Sequence, residues 1–288
     1  MADTSPHAPL APVGILGAGF LGGPLAAALA PRPVLATTRR GVASTWPEGH
    51  LPPHVRVAPL DLLSADPPAI AAAFAGARAL VLCYAAGPRQ DRRALYLEGT
   101  RRALEAAARL DLRRLVFTGS TSALPDHDGW LDETCERWPD DERGRIQREA
   151  EALVIDACER ARIPWIILRL AGLYGPGRGL GRLYRQDPAR PLAGDGMQAT
   201  NLIHRDDAIA AACAALDAPA ELSALVHVCD DDHRPRRALF DLVAAAEGLP
   251  PPRWELPPRP EIVGKRVVNR RLKELLGVRL RHPEHVLT

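Results

Sequence analysis

Lysine is nearly missing from this chain. Of its 37 basic residues only Lys265 and Lys273 are lysines, so any chemistry that needs an ammonium group has two candidates. Aromatic residues are also few, at 5% of the 288 residues, with tyrosine at positions 84, 96, 174 and 184 alone. The five cysteines (Cys83, Cys135, Cys158, Cys213 and Cys229) are odd in number, scattered and without a C-x-x-C pair. That argues against a disulfide framework and a zinc ribbon, and fits isolated thiols in a reducing compartment, hence a cytoplasmic protein. No excess of one charge exists: the net charge is +2, which gives no reason to expect nucleic acid or an acidic membrane surface as a partner. Residues 13–30 form an uncharged stretch about long enough to span a bilayer, but five glycines and Pro24 fall within it, so no membrane span is expected. Residues 1–11 lack the basic start of a signal peptide and read as a disordered tail.

What is present is alternation. Apolar strand-like runs at 13–16, 34–38, 55–60, 79–84, 114–118 and 165–170 are separated by helix-like stretches, notably 92–110 and 142–161. Uninterrupted apolar strands suit a parallel sheet covered on both faces. The expected fold is therefore α/β: a Rossmann-type doubly wound parallel sheet over residues 12–170, followed by a smaller substrate lobe over 171–288, with segments interleaved. In that lobe, 172–181 reads as a loop, 208–216, 236–247 and 265–276 as helices, and 225–229 as a strand.

Gly17-Ala18-Gly19-Phe20-Leu21-Gly22 fits G-x-G-x-x-G between the first strand and first helix, the context a dinucleotide-binding turn requires. Gly17 permits the tight turn, Gly19 the close approach of a pyrophosphate, and Gly22 the packing of helix on strand. The second strand should end in an acid that holds the ribose 2′-hydroxyl of NAD. No acid occurs between Gly22 and Glu48; Arg39 and Arg40 stand there instead. A guanidinium pairs with phosphate in bidentate geometry, so NADP is favoured, with NAD as the other option.

With these in place, further segments resemble the extended short-chain dehydrogenase/reductase family, also called the NAD-dependent epimerase/dehydratase family. Asp61-Leu62 looks like its adenine-contacting pair, and Tyr84-Ala85-Ala86-Gly87 like its cofactor-lining turn. Leu97-Glu98-Gly99-Thr100 resembles N-x-x-G-T, with Leu97 in place of Asn. Phe117-Thr118-Gly119-Ser120-Thr121-Ser122 resembles the strand end that carries the catalytic Ser/Thr, here Ser120. Leu168 to Gly177 resembles L-R-x-x-x-x-Y-G-P-G, and Ile203-His204-Arg205-Asp206-Asp207 resembles I-H-V-x-D. The resemblance implies a nucleotide-binding oxidoreductase or epimerase-like enzyme acting on a small polar carbonyl or hydroxyl compound, a sugar nucleotide among them. It also implies a homodimer through the helices at 92–110 and 142–161.

The family's Y-x-x-x-K is missing. Arg143 stands at the Tyr position and Gln147 at the Lys position, and no tyrosine has a lysine four residues on. Guanidinium does not give up its proton in proteins, so Arg143 cannot replace the tyrosine. The departure resembles the atypical branch of the family, and it keeps a non-catalytic NADP(H)-binding sensor or scaffold as the alternative. If the chain is an enzyme, Tyr174 and His204 are the candidate proton carriers, beside Ser120. No metal site is expected: Asp230-Asp231-Asp232-His233 lacks a calcium-loop pattern and reads as a polar turn.

Overall fold

A computed structural model describes residues 10–42, 46, 50–181 and 191–287; most of the expected N-terminal tail lies outside them. The chain begins β1 (Val13–Leu16), α1 (Gly22–Ala28), β2 (Val34–Thr38), β3 (Val55–Pro59), α2 (Pro67–Ala73), β4 (Ala79–Leu82). A π-helical stretch, Ala94–Gly99, then leads into α3 (Thr100–Ala107). The order continues β5 (Arg114–Ser120), β6 (Gly129–Leu131), α4 (Glu142–Ala161), β7 (Trp165–Leu170), β8 (Gly172–Tyr174), β9 (Leu202–His204), α5 (Arg205–Asp217), β10 (Ala224–Val228), α6 (Arg236–Ala246), β11 (Lys265–Val267) and α7 (Arg270–Glu274).

Seven strands form a parallel sheet in the order β10-β7-β5-β4-β1-β2-β3. Their sequences explain it: Val13, Ile15 and Leu16 of β1, Leu80, Val81 and Leu82 of β4, and Leu115, Val116 and Phe117 of β5 are all buried. Strands with no polar face need cover on both sides, which crossover helices supply. The expected Rossmann-type doubly wound sheet is what the structure shows. Order reverses at β1, which pairs with β2 on one side and β4 on the other. The crevice at the carboxyl ends of β1 and β4 is thus the topological switch point.

By internal contacts the chain divides into two compact units, each built from separate stretches. The first comprises the described parts of Met1–Thr118, Glu149–Ile167 and Ala215–Ala224. The second comprises Gly119–Arg148, Leu168–Ala214 and the described part of Leu225–Thr288. In the second, β6 pairs with β11 and β8 with β9, both in parallel, and Tyr174, Leu180, Leu239 and Val243 form a buried cluster.

Several local expectations need correction. The basic helix expected at 265–276 is a strand followed by the five-residue α7. The loop expected from 172 opens with β8. Both strands have three residues, too few for an alternation to register, and partners distant in sequence define them. The helix expected at 208–216 begins at Arg205, because His204 Nδ1 accepts the Asp206 N–H at 3.2 Å and caps its first turn.

Candidate functional site

The first unit carries a cradle at the switch point. Ala18 N–H donates to the Thr37 carbonyl at 2.8 Å, which ties the turn after β1 to the end of β2. Cys83 N–H donates to the Leu16 carbonyl at 2.9 Å, which brings the end of β4 alongside. Gly17 has φ +105°, and a Cβ there would lie 2.7 Å from the Cys83 carbonyl oxygen. A Cβ on Gly22 would overlap the Gly17 carbonyl oxygen. The protein's own packing therefore demands both glycines. Gly19 is different: a Cβ there meets nothing within 4 Å. Its lack of a side chain keeps open space beside a backbone turn, and no side chain caps the first turn of α1. Open space against uncapped helical N–H groups suits a pyrophosphate, so the residues present fit a dinucleotide. Leu21 is buried and Phe20 half-buried.

The rest of the cradle follows from the same unit. Arg39 and Arg40 are exposed on the turn after β2. The Asp61 carboxylate accepts the Leu63 N–H at 3.0 Å, which shapes the loop after β3. Leu62 is buried against Gly99, where a Cβ would lie 3.0 Å from Leu62 Cδ2. Arg102 stitches this loop to α3 through the Leu63 and Ala65 carbonyls, at 2.6 and 3.3 Å. Tyr84 Oη and Thr100 Oγ1 lie 2.5 Å apart, and burial pushes the Tyr84 phenol up, so it acts as a neutral hydrogen-bonding group. Ala85 is exposed and Ala86 half-buried beyond it. Gly99 and Thr100 of the N-x-x-G-T-like segment thus have packing and hydrogen-bonding tasks here, and Leu97 is buried at its Asn position.

The second unit holds the other expected residues. Ser120 Oγ accepts from Ser122 N–H at 3.1 Å and from Ser122 Oγ at 3.0 Å. With both lone pairs engaged, its hydroxyl is left to act as a donor. Gly144 of α4 packs against this turn, where a Cβ would lie 2.5 Å from the Ser122 carbonyl oxygen. Arg143 is exposed, whereas Gln147 is 2% exposed and its Oε1 has no hydrogen-bond partner. That buried acceptor at the family's Lys position was not legible as such in the sequence, where Gln147 marked only a loss.

Tyr174 and His204 sit together, their rings 5.3 Å apart edge to face, both buried. Acid/base work at neutral pH would need a nearby cation to lower the Tyr174 pKa, and its surroundings act in the opposite direction. Burial first, and then the carboxylates Asp230, Asp207 and Asp232, push the phenol up to about 12, while the Val286 N–H bond at 3.2 Å opposes them. Burial and the neighbouring His282 hold His204 below the usual histidine range. Both rings belong to an anchoring network for the C-terminal segment. The fully buried Asp207 carboxylate accepts the Arg281 and His282 N–H groups at 2.7 and 2.9 Å. The His285 ring lies 3.4 Å from both Asp230 and Asp232. The acidic run that read as a polar turn is therefore ion-paired: Asp231 with Lys273 at 2.5 Å, Asp232 with Arg234 at 2.5 Å. Sequence reasoning missed this network because 281–287 carry no motif.

The fold and the glycine turn define a dinucleotide-binding Rossmann protein. The chain belongs to the NAD dependent epimerase/dehydratase family, whose sequence profile matches residues 13–228. It is 32% identical over 252 residues to Protein YeeZ of Escherichia coli (strain K12), covering 84% of this chain and 86% of YeeZ. Over 171 residues it is 33% identical to a 3-diazoavenalumate denitrifying reductase of Streptomyces sp, covering 55% of this chain and 54% of that one. Its fold matches MoeE5 in complex with UDP-glucose and NAD, with a TM-score of 0.76, 23% identity and 93% of each chain covered. No helix among the described residues is long and apolar enough to cross a membrane.

Proposed function

We propose that this chain is an NADP(H)-dependent oxidoreductase that reduces a small polar carbonyl compound or oxidises the corresponding alcohol. The observation that carries the reading is Gly19: a turn closed on both sides by obligatory glycines leaves one position open to solvent, where a pyrophosphate fits. Arg39 and Arg40, with no acid on the β2 turn, favour the 2′-phosphate of NADP over the 2′-hydroxyl of NAD. The likeness to a Streptomyces reductase supports a reductive activity. The fold shared with MoeE5, bound to UDP-glucose, makes sugar nucleotides one substrate class to include.

The dinucleotide, when bound, supplies or accepts the hydride. The chain's own contribution is a donor hydrogen bond: Ser120, its lone pairs held by Ser122, donates to the substrate oxygen and stabilises charge that develops there. Arg143 cannot serve as the acid, and Tyr174, raised to about 12, stays protonated as a structural anchor. His204 is buried, held below the usual histidine range and engaged with the Asp206 N–H, so the proton comes from solvent. The same missing Tyr and Lys motivate the rival reading, an NADP(H)-binding sensor with no turnover. NADPH oxidation against a panel of aldehydes, ketones and sugar nucleotides tests the proposal. Turnover that Ser120→Ala impairs supports it; turnover indifferent to that change refutes the mechanism, and tight NADPH binding without turnover across the panel favours the sensor.

The proposal extends to a homodimer through α3 and α4, where Leu104, Ala108, Leu153 and Ala157 line a shared surface groove. Light scattering that returns a monomer mass at working concentration would refute it.

A further inference from the structure

Three side chains from separate segments of the second unit converge beside Tyr174. His204 ends β9, Asp206 lies in the first turn of α5, and His282 belongs to the C-terminal segment. One ligand-capable atom from each lies within 4.8 Å of the others. The His204 and His282 rings approach to 3.9 Å between centroids, tilted by 47°. His204 Nδ1 lies 3.9 Å from the Asp206 carboxylate.

We propose that His204, Asp206 and His282 form a binding site for a divalent transition metal, with Zn²⁺ the best-suited ion. Two imidazoles and one carboxylate are a donor set zinc takes, with a fourth position open to water. Bonds of about 2.1 Å set tetrahedral ligand atoms roughly 3.4 Å apart, so the cluster must contract by on the order of 1 Å. Asp206, 41% exposed, and His282, half-buried, have room to make that move, while buried His204 supplies the fixed point.

Two observations argue that the cluster is more than incidental packing. His204 Nε2 is buried and has no hydrogen-bond partner, an arrangement that costs about 1–3 kcal/mol when nothing compensates. Ligation through Nε2 would satisfy that nitrogen, with the ring proton moving to Nδ1 at the cost of the Asp206 N–H bond that Nδ1 accepts. The C-terminal segment is also held in place independently, by the Asp207 carboxylate on the Arg281 and His282 N–H groups, so the third ligand is positioned without the ion. The ion would staple that segment to β9 and α5.

The test uses the full chain without a histidine tag, stripped with chelator and titrated with Zn²⁺ by calorimetry and with Co²⁺ by visible absorption. The expected result is one ion per chain with a Kd of about 10 µM or tighter, a rise in melting temperature, and Co²⁺ bands typical of nitrogen and oxygen ligands. His282→Ala and Asp206→Ala, each on an accessible side chain, should retain the fold by circular dichroism and weaken binding at least about tenfold. No saturable binding, binding undiminished in both variants, or a thiolate charge-transfer band pointing to the cysteines would overturn the assignment.

Discussion

Replacing the three glycines of the β1–α1 turn one at a time separates what the fold needs from what a ligand needs. Gly22→Ala drives a methyl into the Gly17 carbonyl oxygen, a rigid backbone atom. Gly17→Ala meets the Cys83 carbonyl at 2.7 Å in a backbone region that side chains avoid. Each should cost about 1–3 kcal/mol or more in stability, through overpacking and strain. Gly19→Val adds a branched side chain whose Cβ meets nothing within 4 Å. Its stability should stay within about 0.5–1 kcal/mol of the parent, since a Gly replaced at a compatible position loses little and the unfolded chain loses entropy. The same side chain fills the space where a pyrophosphate must lie against backbone N–H groups. Losing one or two charge-assisted hydrogen bonds, at about 1.5–3 kcal/mol each, weakens binding by roughly tenfold to a thousandfold or more. Thermal melts give the first quantity and NADPH fluorescence titration the second. A Gly19→Val protein that melts normally and binds NADPH like the parent refutes the assignment of the cradle.

Other outcomes follow from the same geometry. Ser120→Ala removes the donor to the substrate oxygen and should lower kcat by about 10²–10³-fold with NADPH affinity unchanged, as steady-state kinetics and titration will show. Tyr174→Phe takes away the acceptor of the Val286 N–H and should cost about 1 kcal/mol in a melt while turnover holds; a fall of about 10²–10⁴-fold would instead make Tyr174 the proton carrier. Burial pushes the Asp230 carboxyl up to about 6. The folded state therefore holds this proton more tightly than the unfolded chain, and stability declines as pH rises from about 4 to 6, by on the order of 2–3 kcal/mol. Asp230→Asn should lack that decline in paired denaturation curves, and an identical slope would contradict the reasoning.

The sheet was legible because its strands are apolar without interruption and punctuated by glycine; the runs at 13–16, 34–38 and 79–84 needed no partner to be recognised, the last ending as a strand at Leu82. Helix α4 was legible to its ends through amphipathic period. The cradle was legible because Gly17 and Gly22 are demanded by local backbone geometry. Short strands were not, since β6 and β11 exist only through each other, across more than a hundred residues. Nor was the environment of Tyr174: its place after β7 could be read, but the carboxylates around it come from 207, 230 and 232. Long-range electrostatics leave no local pattern, so the raised phenol of Tyr174 could not be read from the sequence.

Calorimetric titration of the chain with NADPH and with NADH tests the central claim most directly. The account predicts that NADPH binds roughly tenfold to a hundredfold more tightly, through pairing of the 2′-phosphate with Arg39 and Arg40, and that the double change to Ala erases the difference. NADH binding as tightly as NADPH, or no binding of either, would contradict it.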